Sequence, residues 1–574
     1  MSLPLQPADR ANRSGATLKA WLLDLGDHFV AEVPKGSLRP GMVEGWRLKW
    51  RGRELEIQVD GDFPFSAPTV YLLGYTRAHA QPHVEHDGKL CLGVDPVPGE
   101  AVRTIQASLA AAFQLLTENE SRKHEDDFRE DFGLYWLNWA TSHELEAKVV
   151  PAPEWNLGTT FGLLIRTANQ IFVFPTKADA ERFWINRTDN PPKKVKSALV
   201  IPIQPLPAPD RYPATTAELW SLVEARSPDG TQALTQLIAN DPFECFVILS
   251  GLVPSGREHF ATLRLRRPER APGQPLHRRA MREHIKRSDD PERAHFERYL
   301  VERLATSRLD SASTRLLGPP RRQLSVAKVV IVGCGSLGSG VARLLAQSGV
   351  EYLWLVDPDT LGWENIRRHH LGAGHVRLKK AAALARSIRA DLPMINCVKG
   401  YAMTFAAFAR DHSDILSSAD LVVSCTGSWP ADASVENALR LAECKARVVY
   451  GWMEAHALAA HAVALDFAGP RLSDGFNEYG EFLLPATTGG LPPPPECGGG
   501  SSPYGAIELV NSQALVARMA VDVLRGVVQP PLWRTWLSEA SALRDAEASW
   551  SPSWIERKGK PSEMGGVVEG DWSF

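Results

Sequence analysis

Residues 329–370 read VVIVGCGSLGSGVARLLAQSGVEYLWLVDPDTLGWENIRRHH. The run Val329 to Val332 is apolar without interruption, the pattern of a parallel strand buried on both faces. Gly333, Gly335 and Gly338 then spell G-x-G-x-x-G where the chain must turn tightly into a helix, expected over about 336–347. The first turn of such a helix presents unpaired N–H groups and a positive dipole end to a phosphate. A second apolar strand, Tyr352 to Val356, ends in Asp357, placed to hold a ribose hydroxyl. Dinucleotide oxidoreductases share this fingerprint, so the residues that follow decide the reading. Asp359 and Asn365 come first, and Arg367, Arg368, Lys379 and Lys380 then gather the positive charge that a pyrophosphate leaving group requires and a hydride does not.

The segment resembles the adenylation domain of the ubiquitin-activating enzyme superfamily, which includes the ThiF and MoeB proteins. The resemblance implies a C-terminal Rossmann-like domain that binds ATP with magnesium and adenylates a carboxylate. In that family an Asn-Leu-Asn-Arg-Gln motif supplies an arginine to the phosphates. Asn365-Ile366-Arg367-Arg368-His369 is the counterpart here, which puts Arg368 on the family arginine. The family lysine follows a Val-Gly-x-x-Lys pattern. Val376-Arg377-Leu378-Lys379-Lys380 puts Lys380 in register, with Lys379 the alternative. The family ends its fourth strand in an aspartate that helps place magnesium, whereas LVVSCTGS has Gly427 there and leaves more of that task to Asp359. The implied site therefore has Arg368 and Lys380 as catalytic groups. Gly333, Gly335, Gly338, Asp357, Asp359, Asn365 and Lys379 surround the nucleotide, and Asp359 is the metal ligand.

At 574 residues the chain has room for two to four domains with separate cores. A net charge of −3 gives no support to a basic nucleic-acid binder. No apolar run reaches membrane-spanning length, and the N-terminus lacks a positive-then-apolar secretory pattern. Seven widely spaced cysteines argue against a disulfide scaffold and for a reducing, cytoplasmic setting. None forms a C-x-x-C pair, although sulfur-carrier activators of the superfamily often bind zinc through two such pairs.

The N-terminal third carries a second chemistry. Ser14 could cap a helix with Leu18, Leu22, Leu25 and Phe29 on one face. Trp46-Leu48-Trp50 and Leu55-Ile57-Val59 alternate on either side of Arg51-Gly52, as in a hairpin. FPFSAPTVYL and the loop QPHVEHDGKLCLG follow, then helices over about 104–116 and 126–139. This order is similar to a ubiquitin-conjugating enzyme. The family element Tyr-Pro-x-x-x-Pro-x-Val is matched by Phe63-Pro64 and by Pro68-Thr69-Val70, and its His-Pro-Asn motif by Gln81-Pro82-His83 ahead of Cys91. The resemblance makes Cys91 the acyl-accepting thiol and puts His83 where the family asparagine steadies an oxyanion, a hydrogen bond an imidazole N–H can also donate.

A third feature is the loop LLPATTGGLPPPPECGGGSSPY, Leu483 to Tyr504, rich in proline and glycine and without periodicity. Activating enzymes need a cysteine near the adenylate, and Cys497 lies in this loop beside Gly498 to Gly500. Cys245, Cys334, Cys397, Cys425 and Cys444 read as structural. Glu454, His456 and His461 in MEAHALAAH match no zinc spacing and read as a strand pair. The middle of the chain reads as a small mixed domain without assignable chemistry. The expected organisation is an α/β multidomain chain: an α+β conjugating-like domain over 1–147, a mixed α/β middle domain over 148–318, and an adenylation domain over 319–574.

Both modules in this order resemble the fused transferase of bacterial anti-phage CBASS operons. That resemblance implies a homodimer that passes the C-terminus of a cGAS-like nucleotidyltransferase from Cys497 to Cys91 and on to a target lysine. Two other readings stay open: ThiF-like activation of a small carrier for sulfur transfer, and an ATP-binding scaffold without transfer.

Overall fold

The computed structural model describes residues 21, 28–76, 80–124, 126–227, 229–268, 290–309, 322–442, 444–490 and 504–574. The helix expected from Ser14 falls largely outside them. The chain divides into two compact units, Met1–Ala180 with Lys193–Leu309 and Glu181–Pro192 with Asp310–Phe574.

The first unit opens with a four-stranded antiparallel meander, β1 (Phe29–Glu32), β2 (Met42–Trp50), β3 (Arg53–Asp60) and β4 (Thr69–Leu72). Alternation drives it: Trp46, Leu48, Leu55, Ile57, Val59 and Val70 turn inward and pack on Ile105, Leu109, Ala112 and Leu116 of the helix Ala101–Glu120. Beyond β4 the cysteine loop is stitched to the sheet edge. Leu90 N donates to Val70 O and Leu72 N to Gly88 O. The aromatic segment expected as one helix over 126–139 is two, Asp127–Glu130 and Phe132–Asn138, parted at Asp131.

The remainder of this unit is a closed seven-stranded barrel built from β5 (Ser142–Val149), β6 (Thr160–Arg166), β7 (Gln170–Phe174), β8 (Lys196–Pro202), β9 (Glu244–Leu252), β10 (Glu258–Arg266) and β11 (Leu300–Arg308). Helices Thr216–Arg226 and Gly230–Asn240 bury Leu219, Val223, Leu234 and Leu237 against it. Trp136 is fully buried, and its Nε1 donates to Leu304 O of β11. This indole hydrogen bond ties the aromatic helix to the barrel.

The second unit is a doubly wound sheet. Its strands are β12 (Lys328–Val332), β13 (Tyr352–Val356), β14 (Cys397–Tyr401), β15 (Leu421–Ser424), β16 (Arg447–Met453) and β17 (Ala459–Leu465), with β18 (Thr487–Gly489) and β20 (Ala548–Trp550) paired apart, and β19 (Leu532–Leu537) and β21 (Gly566–Gly570) at one edge. The order is β14-β13-β12-β15-β16-β17-β19-β21; the first five are parallel and the rest antiparallel. The pleat splits the apolar run as expected. Val329 and Ile331 join the core made with helices Ser336–Ser348, Lys380–Asp391 and Ala506–Leu524, and Val330 and Val332 join the opposite core around Phe408, Tyr450, Trp554 and Trp572. Strand order reverses around β12, so the loops after β12, β13 and β15 converge on one crevice.

Candidate active sites

The crevice after β12 is shaped by glycine. Gly333 has φ +84°, and a Cβ there would lie 2.7 Å from Cys425 O. A Cβ on Gly338 would lie 1.9 Å from Gly333 O, so the turn closes only because none is present. Gly335 caps the helix Ser336–Ser348 in extended geometry, and nothing lies within 4 Å of where its Cβ would project. Open space at the N-terminal end of a helix suits a phosphate.

Asp357, at the end of β13, is buried. One carboxylate oxygen accepts from Cys334 N and the other from Asp359 N, both at 2.7 Å. Each oxygen keeps a lone pair for a ribose hydroxyl. His369 clamps the glycine loop from behind: its Nδ1 accepts from Leu371 N at 3.0 Å, which leaves Nε2–H to donate to Cys334 O at 2.7 Å. Burial pushes this imidazole below its usual range, so it is neutral, as the tautomer requires. His370 N donates to Ser339 Oγ, which ties the arginine segment to the same helix.

Lys380 opens the helix Lys380–Asp391, and its Nζ lies 2.9 Å from Asp359 Oδ2. Lys379 Nζ donates to Pro358 O. Asn365 accepts from Gly362 N and thereby shapes the one-turn helix Trp363–Asn365 ahead of Arg368. The Arg368 guanidinium stands 5.3 Å from the ring centre of Tyr504, whose hydroxyl donates to Ser336 Oγ at 2.6 Å. Gln513 adds a bond to Ser336 O. Tyr504 and Gln513 are site residues that the sequence pattern did not single out, since neither belongs to a spaced motif.

Gly427 has φ +63° and brings no carboxylate. A buried acid lies close by: Asp432 Oδ1 accepts from Ser424 Oγ at 2.6 Å and from Thr426 Oγ1 at 2.8 Å. Burial raises its pKa to about 6 against the pull of those two hydrogen bonds. Its carboxylate is bonded by these hydroxyls at the end of β15, so it braces that loop.

The second candidate site lies in the first unit. Cys91 is exposed, and its backbone N donates to His83 O at 2.9 Å, which sets the two residues side by side. Partial covering of the thiol raises its pKa, and the Glu85 carboxylate, 3.7 Å from Sγ, raises it further while Lys89 works against both. His83 adopts φ +58°, and its backbone N donates to the Tyr135 hydroxyl at 2.7 Å. Asn119 Nδ2 holds the loop through Pro82 O. The His83 Nε2 faces Asp127 Oδ2 at 2.9 Å. Behind that carboxylate stands His124, with Nδ1 on the same oxygen at 2.9 Å and Nε2 on Glu118 Oε2 at 2.8 Å.

Cys497 lies outside the described residues. The segment leading to it is anchored: Ala486 N, Thr487 N and Thr487 Oγ1 all donate to the largely buried Glu454, which also pairs with His461. MEAHALAAH is thus the hairpin β16–β17 with an internal Glu–His pair. Among the described residues no helix is long and apolar enough to cross a membrane.

Comparison with known proteins gives two matches in chain order. Residues 40–144 match the model of the prokaryotic E2 family B, and residues 311–453 match the model of the ThiF family. The ATP-dependent ubiquitin transferase-like protein Cap2 of Vibrio cholerae is 34% identical over 116 residues, 20% of this chain and 19% of the relative. The adenylyltransferase and sulfurtransferase MOCS3 of Mus musculus is 34% identical over 121 residues, 21% of this chain and 26% of the relative. The aligned part therefore spans about a fifth to a quarter of these relatives. A crystal structure of Escherichia coli MccB with MccA-N7isoASN aligns over 40% of this chain and 65% of its own, at 16% identity and a TM-score of 0.31. This chain is a fused E2-like and ThiF-type protein, with the E2-like segment first.

Proposed function

We propose that this chain is an ATP-dependent protein-conjugating transferase of the CBASS anti-phage kind. A partner's C-terminal carboxylate attacks the α-phosphate of ATP, pyrophosphate leaves, and an acyl-adenylate results. The residues of the crevice fit ATP: open space before the helix N-terminus for phosphate, Asp357 for ribose, Arg368 and Lys380 for the charge that builds on the phosphates. Magnesium binds through one or two carboxylates plus phosphates and keeps its waters. Asp359 suits that role, since among the described residues only its Oδ2 is engaged, by Lys380.

Cys497 then displaces AMP and holds the acyl group as a thioester, and Cys91 takes it by exchange. A lysine amine of a target is the final acceptor. A cGAS-like nucleotidyltransferase is the partner this reading favours, and a homodimer in the cytoplasm its setting. The observation that carries the proposal is the pairing in one chain of a nucleotide crevice with a thiol loop whose backbone holds His83 against Cys91.

The match to MOCS3 supports a second reading, activation of a small carrier for sulfur transfer. The two are separated by Cys91→Ala in the presence of ATP and a cGAS-like partner. Conjugation predicts an acyl adduct stalled on Cys497 that thiols release. Carrier activation predicts unimpaired sulfur incorporation and no stalled adduct.

A further inference from the structure

We infer that His83 is the general base for aminolysis at the Cys91 thioester, with Asp127 as its positioning residue. This rests on the reading of Cys91 as the acyl-carrying thiol. It differs from an oxyanion-donor role for the same imidazole, and hydrogen bonding decides between the two. Nε2 faces the Asp127 carboxylate at 2.9 Å, an acceptor only, so Nε2 carries the proton. In the neutral ring Nδ1 is then a lone pair, and among the described residues it has no hydrogen-bond partner. A lone pair cannot donate to an oxyanion, but it can take a proton from an attacking amine.

The surroundings hold that tautomer. Tyr135 and Asn119 hold the backbone of residues 82–83, with His83 in the left-handed region at φ +58°. Asp127 is fixed in turn by His124, both of whose ring nitrogens face carboxylates. The hydrogen bond to Glu118 raises the His124 pKa, and His124 as a cation balances the two acids. Burial would raise Asp127, but the bonds from His83 and His124 lower it on balance, so it stays ionised to stabilise a His83 imidazolium. Among the described residues, other charged or titratable groups near His83 are Lys123 on Glu118, Tyr135 at the His83 backbone, and Glu85, His86, Asp87, Lys89 and Cys91 on its own loop.

The step balances without a further reactant. The amine nitrogen bonds to the thioester carbonyl carbon as its proton passes to His83 Nδ1. The C–S bond breaks, and the leaving Cys91 thiolate recovers the proton from the imidazolium. The ring nitrogens and carboxylate of His83, His124 and Asp127 also lie within 4.8 Å of one another, close enough to hold a cation. Chelation therefore belongs in the test.

Cys91 is loaded chemically, by exchange with the benzyl thioester of N-acetylglycine in a Cys497→Ala chain, so the result does not depend on adenylation. Discharge to free L-lysine is followed by intact mass between pH 6 and 9, with and without EDTA. The wild-type rate is expected to show a histidine inflection that EDTA leaves in place. His83→Ala should lose about 100-fold at pH 7, and His83→Asn, which keeps an N–H donor but no base, should lose as much. Asp127→Asn should lose about tenfold and distort the inflection, with iodoacetamide alkylation of Cys91 unchanged as the check on folding. Hydroxylamine, a nucleophile that needs no base, should discharge every variant at near wild-type rate. His83→Asn as fast as wild type would overturn the assignment in favour of an oxyanion donor. A rate that depends on a chelatable metal, or an Asp127→Asn profile identical to wild type, would overturn it as well.

Discussion

Two lysines one residue apart receive different roles from their hydrogen bonds. Lys380 Nζ pairs with Asp359 at the crevice mouth, whereas Lys379 Nζ is spent on a backbone carbonyl, Pro358 O. Lys380→Ala should slow ATP–pyrophosphate exchange by about 100-fold, the usual scale for losing one group that stabilises developing charge. Lys379→Ala should stay within about threefold; the reverse ranking would move the register by one. Cys91 offers a second test at this scale. Its thiol pKa is raised by burial and then by Glu85, so the thiolate is scarce below that pKa and grows as pH rises through it. Glu85→Gln should speed iodoacetamide alkylation of Cys91 several-fold at pH 7.5, with the gap closing as pH rises. An unchanged rate would show that Glu85 exerts no field on the thiol. What sequence made visible here was residue type and offset: Cys91, His83, Lys380 and Asp357 stand in spaced motifs. The partner of each side chain was hidden, because Asp127 and Tyr135 reach His83 from 44 and 52 residues away.

Elements were legible in proportion to how local their causes are. The glycine turn, the uninterrupted strand β12 and the hairpin β2–β3 follow from neighbours in the chain, and all three appear where the pattern puts them. The barrel did not, since its closure pairs β5 with β11 across some 160 residues and joins parallel strands that no turn motif announces. The loop after β15 carries a pH signature of its own. Asp432 has a folded-state pKa of about 6, above the value of an unfolded aspartate, so its contribution to stability is intact below pH 4 and is lost as pH rises through 6. Asp432→Asn keeps an acceptor for Ser424 and Thr426 without a charge. It should therefore stabilise the chain at pH 7 by up to about 3 kcal/mol and make no difference at pH 4. Differential denaturation at the two pH values checks the sign; destabilisation at pH 7 would mean that the ionised form is the one the loop is built around.

At the scale of the whole molecule, the proposed acceptor thiol Cys91 lies in the first unit and the glycine-shaped crevice proposed for ATP in the second. Tethering raises the effective concentration of one site at the other, which relieves a conjugation pathway of a separate docking step. The proposed relay passes an ATP-activated protein tail from Cys497 to Cys91. It is tested most directly by intact mass, under non-reducing conditions, of three forms of the chain purified from its native cell. Wild type should carry a fraction of thiol-sensitive adduct, Cys91→Ser should accumulate the same tail as a thiol-resistant ester at residue 91, and Cys497→Ala should carry nothing. An adduct on Cys91 that persists in the Cys497→Ala chain, or no adduct in any of the three, would contradict the account.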